Sequence, residues 1–359
     1  MRSKEENIEL IKRLSNANGV SGFEDEVAVI GREETKAFCE VEEDSLRNVY
    51  MRLKSNQGKK PTIWLDAHSD ELGFIVQAIK PNGTLEFLPL GGWSASHIPA
   101  SKVRVQNALG EYIPGIVAAK PVHFMSEAER QSGVQIENMV IDVGAVSKED
   151  LDAHYHIRMA APVVPDVSCE YDKNHDLFMG KAFDCRIGCA ALLETLNQLQ
   201  DEDLNVDVVG TFTVQEEVGE RGMEAASKKV EADIAIIFEG CPADDTFYEP
   251  YRIQAGIKKG PMLRHFDRSM ITNPRFMRYA LDLADRYQIP VQESVRSGGG
   301  TNAKFTHLMK NGTPTIVIGI PVRYIHSHHG ICSYDDYLHA VALAKHIVEN
   351  LNQDMISRF

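Results

Sequence analysis

The sequence lacks what a membrane protein, a disulfide scaffold or a nucleic-acid binder would need. No uninterrupted apolar run in its 359 residues approaches the ~20 that a membrane span requires. The charged opening, Met1-Arg2-Ser3-Lys4-Glu5-Glu6, has no apolar signal-peptide core behind it, so a cytoplasmic location is expected. Basic residues are outnumbered: 38 Lys and Arg face 52 Asp and Glu, for a formal net charge of -14. That balance argues against nucleic acid or an anionic membrane as partner. The six cysteines are scattered with no CxxC pair, as in a reducing compartment. Cys185 and Cys189 lie four apart on an expected helix, and ordinary packing is the preferred reading of that pair.

Several catalytic signatures are missing too. There is no His-Glu-x-x-His helix, no Gly-x-Ser-x-Gly elbow and no phosphate-cradling loop ending in Gly-Lys-Ser/Thr. Gly298-Gly299-Gly300-Thr301 lacks dinucleotide spacing and reads as a tight loop.

What is present is an ordinary globular composition, 43% hydrophobic and 25% charged, enough for a sizeable core. Amphipathic helices are expected over residues 5–15 and from about 24 to 38. Residues 61–67, 206–214, 232–238 and 313–320 read as buried strands. Helices are expected over 187–199, over 274–287 behind an Asn273 cap, and from Ser333 onward, where Ser333 and Asp336 resemble a capping box. Between about 73 and 165 the texture is short β segments (74–79, 84–88, 102–105, 112–117, 139–143) punctuated by Gly, Pro and Asn. The expectation is therefore α/β: a mixed-sheet domain with helices on both faces, formed by 1–72 and 166–359. A small β domain over 73–165 is inserted into it.

Ionisable residues recur where strands end, the place at which open α/β sheets put their chemistry. His68-Ser69-Asp70 closes the first strand, and its spacing puts His68 and Asp70 on one face, so that Asp70 can orient the imidazole. Asp184 precedes a helix: an N-cap, or a carboxylate able to bridge two cations about 3.5–4 Å apart. Glu216 and Glu217 follow the 206–214 strand, where one can ligate a metal while the other takes a proton from water. The bland alternative there is a solvated acidic turn. Glu239 ends a strand so apolar that a carboxylate on it needs a reason. His326, His328 and His329 cluster after the last strand, and spacing does not choose among them. Two histidines and three carboxylates suit two borderline-hard divalent ions, zinc, cobalt or manganese.

Ala67-His68-Ser69-Asp70-Glu71, Ala182-Phe183-Asp184, Glu216-Glu217-Val218-Gly219 and Arg323-Tyr324-Ile325-His326-Ser327 together resemble, in order and approximate spacing, the M42 metallo-aminopeptidases. That family includes the glutamyl aminopeptidases and the tetrahedral TET peptidases. The resemblance covers nearly the whole chain. It implies that His68, Asp184 and Glu239 bind one metal, and Asp184, Glu217 and His326 the other. Zinc or cobalt are the expected ions. It implies Asp70 behind His68, Glu216 as general base, peptides as substrates, and a dimerising β-barrel-like inserted domain. Such dimers commonly build hollow tetrahedral dodecamers. Departures from the pattern are Cys185 where many relatives have Asp or Asn, Asn302 for Asp, Ser327-His328-His329-Gly330 for Ser-Pro, and Glu239 for Asp. Rival readings keep a deacylase or carboxypeptidase on the same centre, a glycoside hydrolase using Glu216 and Glu217, and a non-enzymatic metal-binding protein.

Overall fold

The computed structural model describes residues 2–131 and 133–359. Four apolar segments form the middle of the main sheet: Thr62–His68, Asp207–Thr213, Ile234–Pro242 and Thr315–Arg323. They run parallel, in the order Asp207–Thr213, Thr62–His68, Ile234–Pro242, Thr315–Arg323. Their C-terminal ends therefore share one edge. Antiparallel strands flank them, giving an eleven-stranded mixed sheet.

Both faces of these strands are buried, which explains why they read as near-continuous hydrophobic runs. Alternation then splits each strand between two cores. Ile63, Leu65, Ile236, Phe238, Ile316 and Ile318 face the larger core, where the helices Lys4–Asn16, Asp25–Thr35, Phe183–Leu199, Pro274–Tyr287 and Tyr334–Asn350 pack. Trp64, Val209, Ala235, Ile237 and Val317 face the smaller core, beneath the short helices Arg221–Ala226 and Ala303–Thr306. His68 and Glu239 continue the alternation of Trp64 and Ile237, so both leave the sheet on the same side.

The strands Gly73–Ile79, Leu85–Leu90, Lys102–Gln106, Tyr112–Ala118, Val140–Asp142 and Pro162–Pro165 close into a separate six-stranded barrel. Its own core centres on Phe74, Phe87, Val103, Val105, Ile141 and Val163. The architecture is thus the mixed α/β fold with an inserted small β domain. Among the described residues no helix is long and apolar enough to cross a membrane.

Local details depart from the sequence pattern in places. The second helix stops at Thr35, because Cys39–Glu43 begins an edge strand paired with Val49–Leu53. That edge pair, too short to stand out in the sequence, was missed. Asn273 does cap its helix, accepting from the amides of Arg275 and Phe276. The Ser333–Asp336 capping box does not form. The Asp336 carboxylate instead accepts from the amides of Lys258 and Gly260 at 2.6 and 2.7 Å, and the Ser333 side chain makes no cap. A remote turn offered two backbone donors, and two charge-assisted bonds outcompete one local one.

Gly240 shows how tightly the sheet edge meets the helix Phe183–Leu199. A Cβ there would lie 2.5 Å from the Phe183 carbonyl oxygen and 2.8 Å from the Asp184 Cα, backbone atoms that cannot step aside. Gly240→Ala is expected to cost about 1–3 kcal/mol by forcing these elements apart. Thermal unfolding of the variant should show a lower midpoint, and an unchanged midpoint would mean the contact is slack.

Candidate metal centre

Asp184 is the pivot. It stands in the first turn of Phe183–Leu199, whose N-cap position is Ala182, and its own backbone is non-helical, with φ -83° and ψ 105°. Its two oxygens point to different partners. Oδ1 lies 2.9 Å from His68 Nε2, and Oδ2 lies 3.3 Å from His326 Nε2. Glu239 Oε1 joins the first group at 3.3 Å from His68 Nε2. Glu217 Oε2 joins the second at 3.8 Å from His326 Nε2. Two clusters result, His68, Asp184, Cys185 and Glu239 in one and Asp184, Glu217 and His326 in the other, sharing the Asp184 carboxylate. The five residues expected as ligands therefore come together. Cys185 is an addition that sequence spacing had assigned to packing.

Each side chain is held by backbone design. Asp70 Oδ1 sits 3.3 Å from His68 Nδ1. The same carboxylate accepts the amides of Glu216 and Glu217 at 2.9 and 3.1 Å and the Ser21 hydroxyl at 2.6 Å. Gln215 turns into the left-handed region at φ 55°, and this turn brings Glu216 and Glu217 to one cavity rather than to opposite faces of a strand. Glu24 braces that turn by accepting the Gln215 amide at 3.1 Å. His326 Nδ1 donates to the Gly92 carbonyl at 3.0 Å, which leaves Nε2 for the cluster. Gly92 lies just past a barrel strand, so the inserted domain helps to set this imidazole. His328 and His329 instead face each other, with Nδ1 atoms 2.7 Å apart, and join neither cluster.

The electrostatics are strained without added positive charge. Asp70, Asp184, Glu216, Glu217 and Glu239 crowd around only two imidazoles. Burial, with the Asp184 charge beside it, pushes Glu217 up to about 8. Burial also drives Glu216 well above the ordinary carboxylate range, with Glu239 and Glu217 adding to it. Burial opposes protonation of His326, but Asp184 and Glu217 outweigh it and raise the imidazole to about 9. Glu217 Oε1 is buried with no hydrogen-bond partner, and Glu239 Oε1, though 3.3 Å from His68 Nε2, makes no well-aligned hydrogen bond either. Orphaned carboxylate oxygens converging with imidazole nitrogens fit a pair of divalent cations.

The cavity above the clusters measures about 270 Å³ and is lined by His68, Glu216, Glu217 and Glu239, by Gly298–Thr301, and by Arg264 and Arg296. The glycine loop that looked merely tight is thus a wall of the site. Asn302 anchors it, donating to the fully buried Asp66 at 2.8 Å. Arg264 is buried with one nitrogen on Asp267 at 3.1 Å. Arg296 bonds Asp244 at 3.0 Å. Both keep a buried Nε without a partner. Arg296 had no sequence signal at all.

These shifts set a pH dependence. Unfolded carboxylates ionise near 4 and histidine near 6.5. Glu217 and Glu24, each pushed up to about 8, and Asp66, pushed up to about 7, keep protons in the folded chain that the unfolded chain has lost. His326 acts in the same direction up to about 9. The folded state then binds more protons, so stability falls as pH rises. Asp184, held low, opposes this only at acidic pH, below the ordinary carboxylate range. Chelator-treated protein should therefore lose melting temperature from about pH 5 to about pH 8, above which buried Lys181, held down to about 8, acts in the opposite direction, and divalent cation should restore it most toward the alkaline end of that range. A flat profile would contradict the charge accounting.

Comparison with known proteins gives a consistent set of matches. A sequence model of the M42 glutamyl aminopeptidase family matches residues 48–343. The chain is 31% identical over 357 residues to the glutamyl aminopeptidase of Lactococcus lactis subsp. cremoris, spanning 97% of each chain. It is 30% identical over 351 residues to the lysyl aminopeptidase of Pyrococcus furiosus, spanning 96% of this chain and 97% of that one. Among solved structures, the TET aminopeptidase from the marine sediment archaeon Thaumarchaeota archaeon SCGC AB-539-E09 is similar with a TM-score of 0.94 at 37% identity, covering 98% of this chain and 99% of that one.

Proposed function

The chain belongs to the M42 glutamyl aminopeptidase family, and we propose that it is a two-metal aminopeptidase that removes N-terminal residues from peptides, acidic ones preferentially. The observation that carries the reading is the division of the Asp184 carboxylate between two clusters. In this reading His68, Asp184 and Glu239 hold one cation, and Asp184, Glu217 and His326 the other. Zinc and cobalt suit these donors. When bound, such a pair would supply an acidified water and a Lewis acid for the scissile carbonyl.

The remaining work belongs to the chain. Glu216 lines the same cavity and ligates neither cation, so it accepts the water proton and passes it to the leaving amine. Asp70 fixes the His68 ring and, through two backbone amides, the position of Glu216 itself. Arg264 and Arg296 supply a cationic wall for the side chain of the residue being removed.

We further assign residues 1–72 and 166–359 to catalysis and 73–165 to contact between copies. The barrel segment exposes Ile116, Val122, Phe124 and Val146, apolar side chains of the kind that subunit contacts cover. A homo-oligomer of dimers follows from this reading, with the active sites acting in a cytoplasmic setting.

A deacylase or carboxypeptidase on the same centre is the second reading, because Arg264 could equally take a terminal carboxylate. A panel of aminoacyl p-nitroanilides, free and N-acetylated, tested after chelation and after adding back zinc, cobalt or manganese, separates the two. Metal-restored cleavage of the free substrates alone is expected. Cleavage only of blocked substrates would replace the aminopeptidase. Glu216→Gln should retain both cations and lose about 10²–10⁴-fold in turnover, and wild-type turnover would remove Glu216 from its role. Arg264→Gln should cut kcat/KM for the glutamyl substrate roughly ten- to hundredfold, as expected for about 1.5–3 kcal/mol of charged hydrogen bonding. The leucyl substrate should change little, and an equal loss on both would mean Arg264 is only structural.

A further inference from the structure

One member of the first cluster has no role in the proposed ligand set. Cys185 is completely buried, and its sulfur lies within 4.8 Å of donor atoms of His68, Asp184 and Glu239, which are also within that distance of one another. The thiol's one hydrogen bond goes to the Phe238 carbonyl at 3.2 Å. That is a weak S–H donor contact to an oxygen.

Two further observations point to a ligand. Glu239 Oε1, in the same cluster and nearly buried, has His68 Nε2 at 3.3 Å but no hydrogen bond of good geometry, which leaves a carboxylate oxygen free to ligate. Gly188, one helical turn beyond Asp184, keeps space for the sulfur. A Cβ at that position would lie 2.4 Å from the Cys185 Sγ. Cys189 offers a contrast within the same helix. Its thiol donates to the His68 carbonyl at 3.1 Å and lies outside the cluster.

We propose that the Cys185 thiolate supplies a fourth protein donor to the cation held by His68, Asp184 and Glu239. On binding, the S–H proton goes to solvent, the bond to the Phe238 carbonyl is given up, and a sulfur–metal bond forms, at about 2.3 Å for zinc. No oxidant or reductant is involved. The donor set becomes one imidazole, two carboxylates and one thiolate. Sulfur in that set selects zinc, or Co(II) as its stand-in, over manganese and magnesium, which prefer oxygen. The second cation, held by Asp184, Glu217 and His326, keeps an oxygen and nitrogen set. The two sites of one centre therefore differ in which metal they prefer. The inference rests on the cation-binding reading of the cluster and not on the identity of the substrate.

Absorption spectroscopy of the full-length protein loaded with Co(II) alone tests it. Visible ligand-field bands report that cobalt occupies the centre, and a near-ultraviolet sulfur-to-cobalt charge-transfer band reports the thiolate bond. Wild type and Cys189→Ser should show both. Cys185→Ser and Cys185→Ala should keep the visible bands and lose the near-ultraviolet band. Visible bands in wild type without the near-ultraviolet band would overturn the thiolate bond while leaving the centre intact. Survival of the near-ultraviolet band in both Cys185 variants would also overturn it. Loss of all bands in wild type would overturn the cation site and this inference together. Zinc and manganese competition on the same variants gives a second readout: wild type should prefer zinc at one site, and Cys185→Ser should lose that preference.

Discussion

Everything at this sheet edge depends on one imbalance of charge. Five carboxyl groups and two imidazoles are packed into a largely buried volume, and the imidazoles cannot neutralise the carboxylates. A protein without a compensating cation answers by holding protons, as the raised Glu216 and Glu217 do. A protein with divalent cations can ionise the same groups and use them. The cluster is therefore costly to the fold and useful to the chemistry, a common relation at functional sites.

That cost is borne by the surrounding shell. Glu71, next in sequence to Asp70, is fully buried and accepts two bonds from Lys181 at 2.6 and 2.7 Å, with Arg186 3.5 Å away. Arg186 also donates to the carbonyls of Leu14, Ala17, Gly19 and Ser69. One buried ionic network thus ties the N-terminal helix, the His68 strand and the helix that carries Asp184. Removing one partner from such a network leaves a bare buried charge, so the network rigidifies the edge whether or not it adds net stability. Asp70 then converts this rigidity into position, since its carboxylate touches both the His68 ring and the backbone of the Glu216–Glu217 turn.

Much of this was legible in the sequence because parallel strands buried on both faces leave a strong local mark. Thr62–His68, Ile234–Pro242 and Thr315–Arg323 were recognisable as apolar runs, and a charged residue at the end of such a run is conspicuous. Short, half-exposed elements left no such mark, which is why the Cys39–Glu43 edge pair was missed. Asp336 misled for a related reason: its local partner was visible in sequence, and its actual partners, the amides of Lys258 and Gly260, were not.

The sequence by itself determined the kinds of groups available and roughly where the strands carry them, although Glu239 lies inside Ile234–Pro242 rather than at its end, because hydrophobic periodicity and the chemistry of side chains are local properties. It did not determine which groups meet. His326 joins Asp184 and Glu217 while His328 and His329 turn to each other, and the deciding contact is the Gly92 carbonyl at the rim of the barrel. Arg296, Cys185 and the glycine loop enter the site only through strand order and the packing of the helix Phe183–Leu199 against Gly240. Convergence depends on register and on crossovers between segments more than a hundred residues apart, and no local pattern encodes those distances.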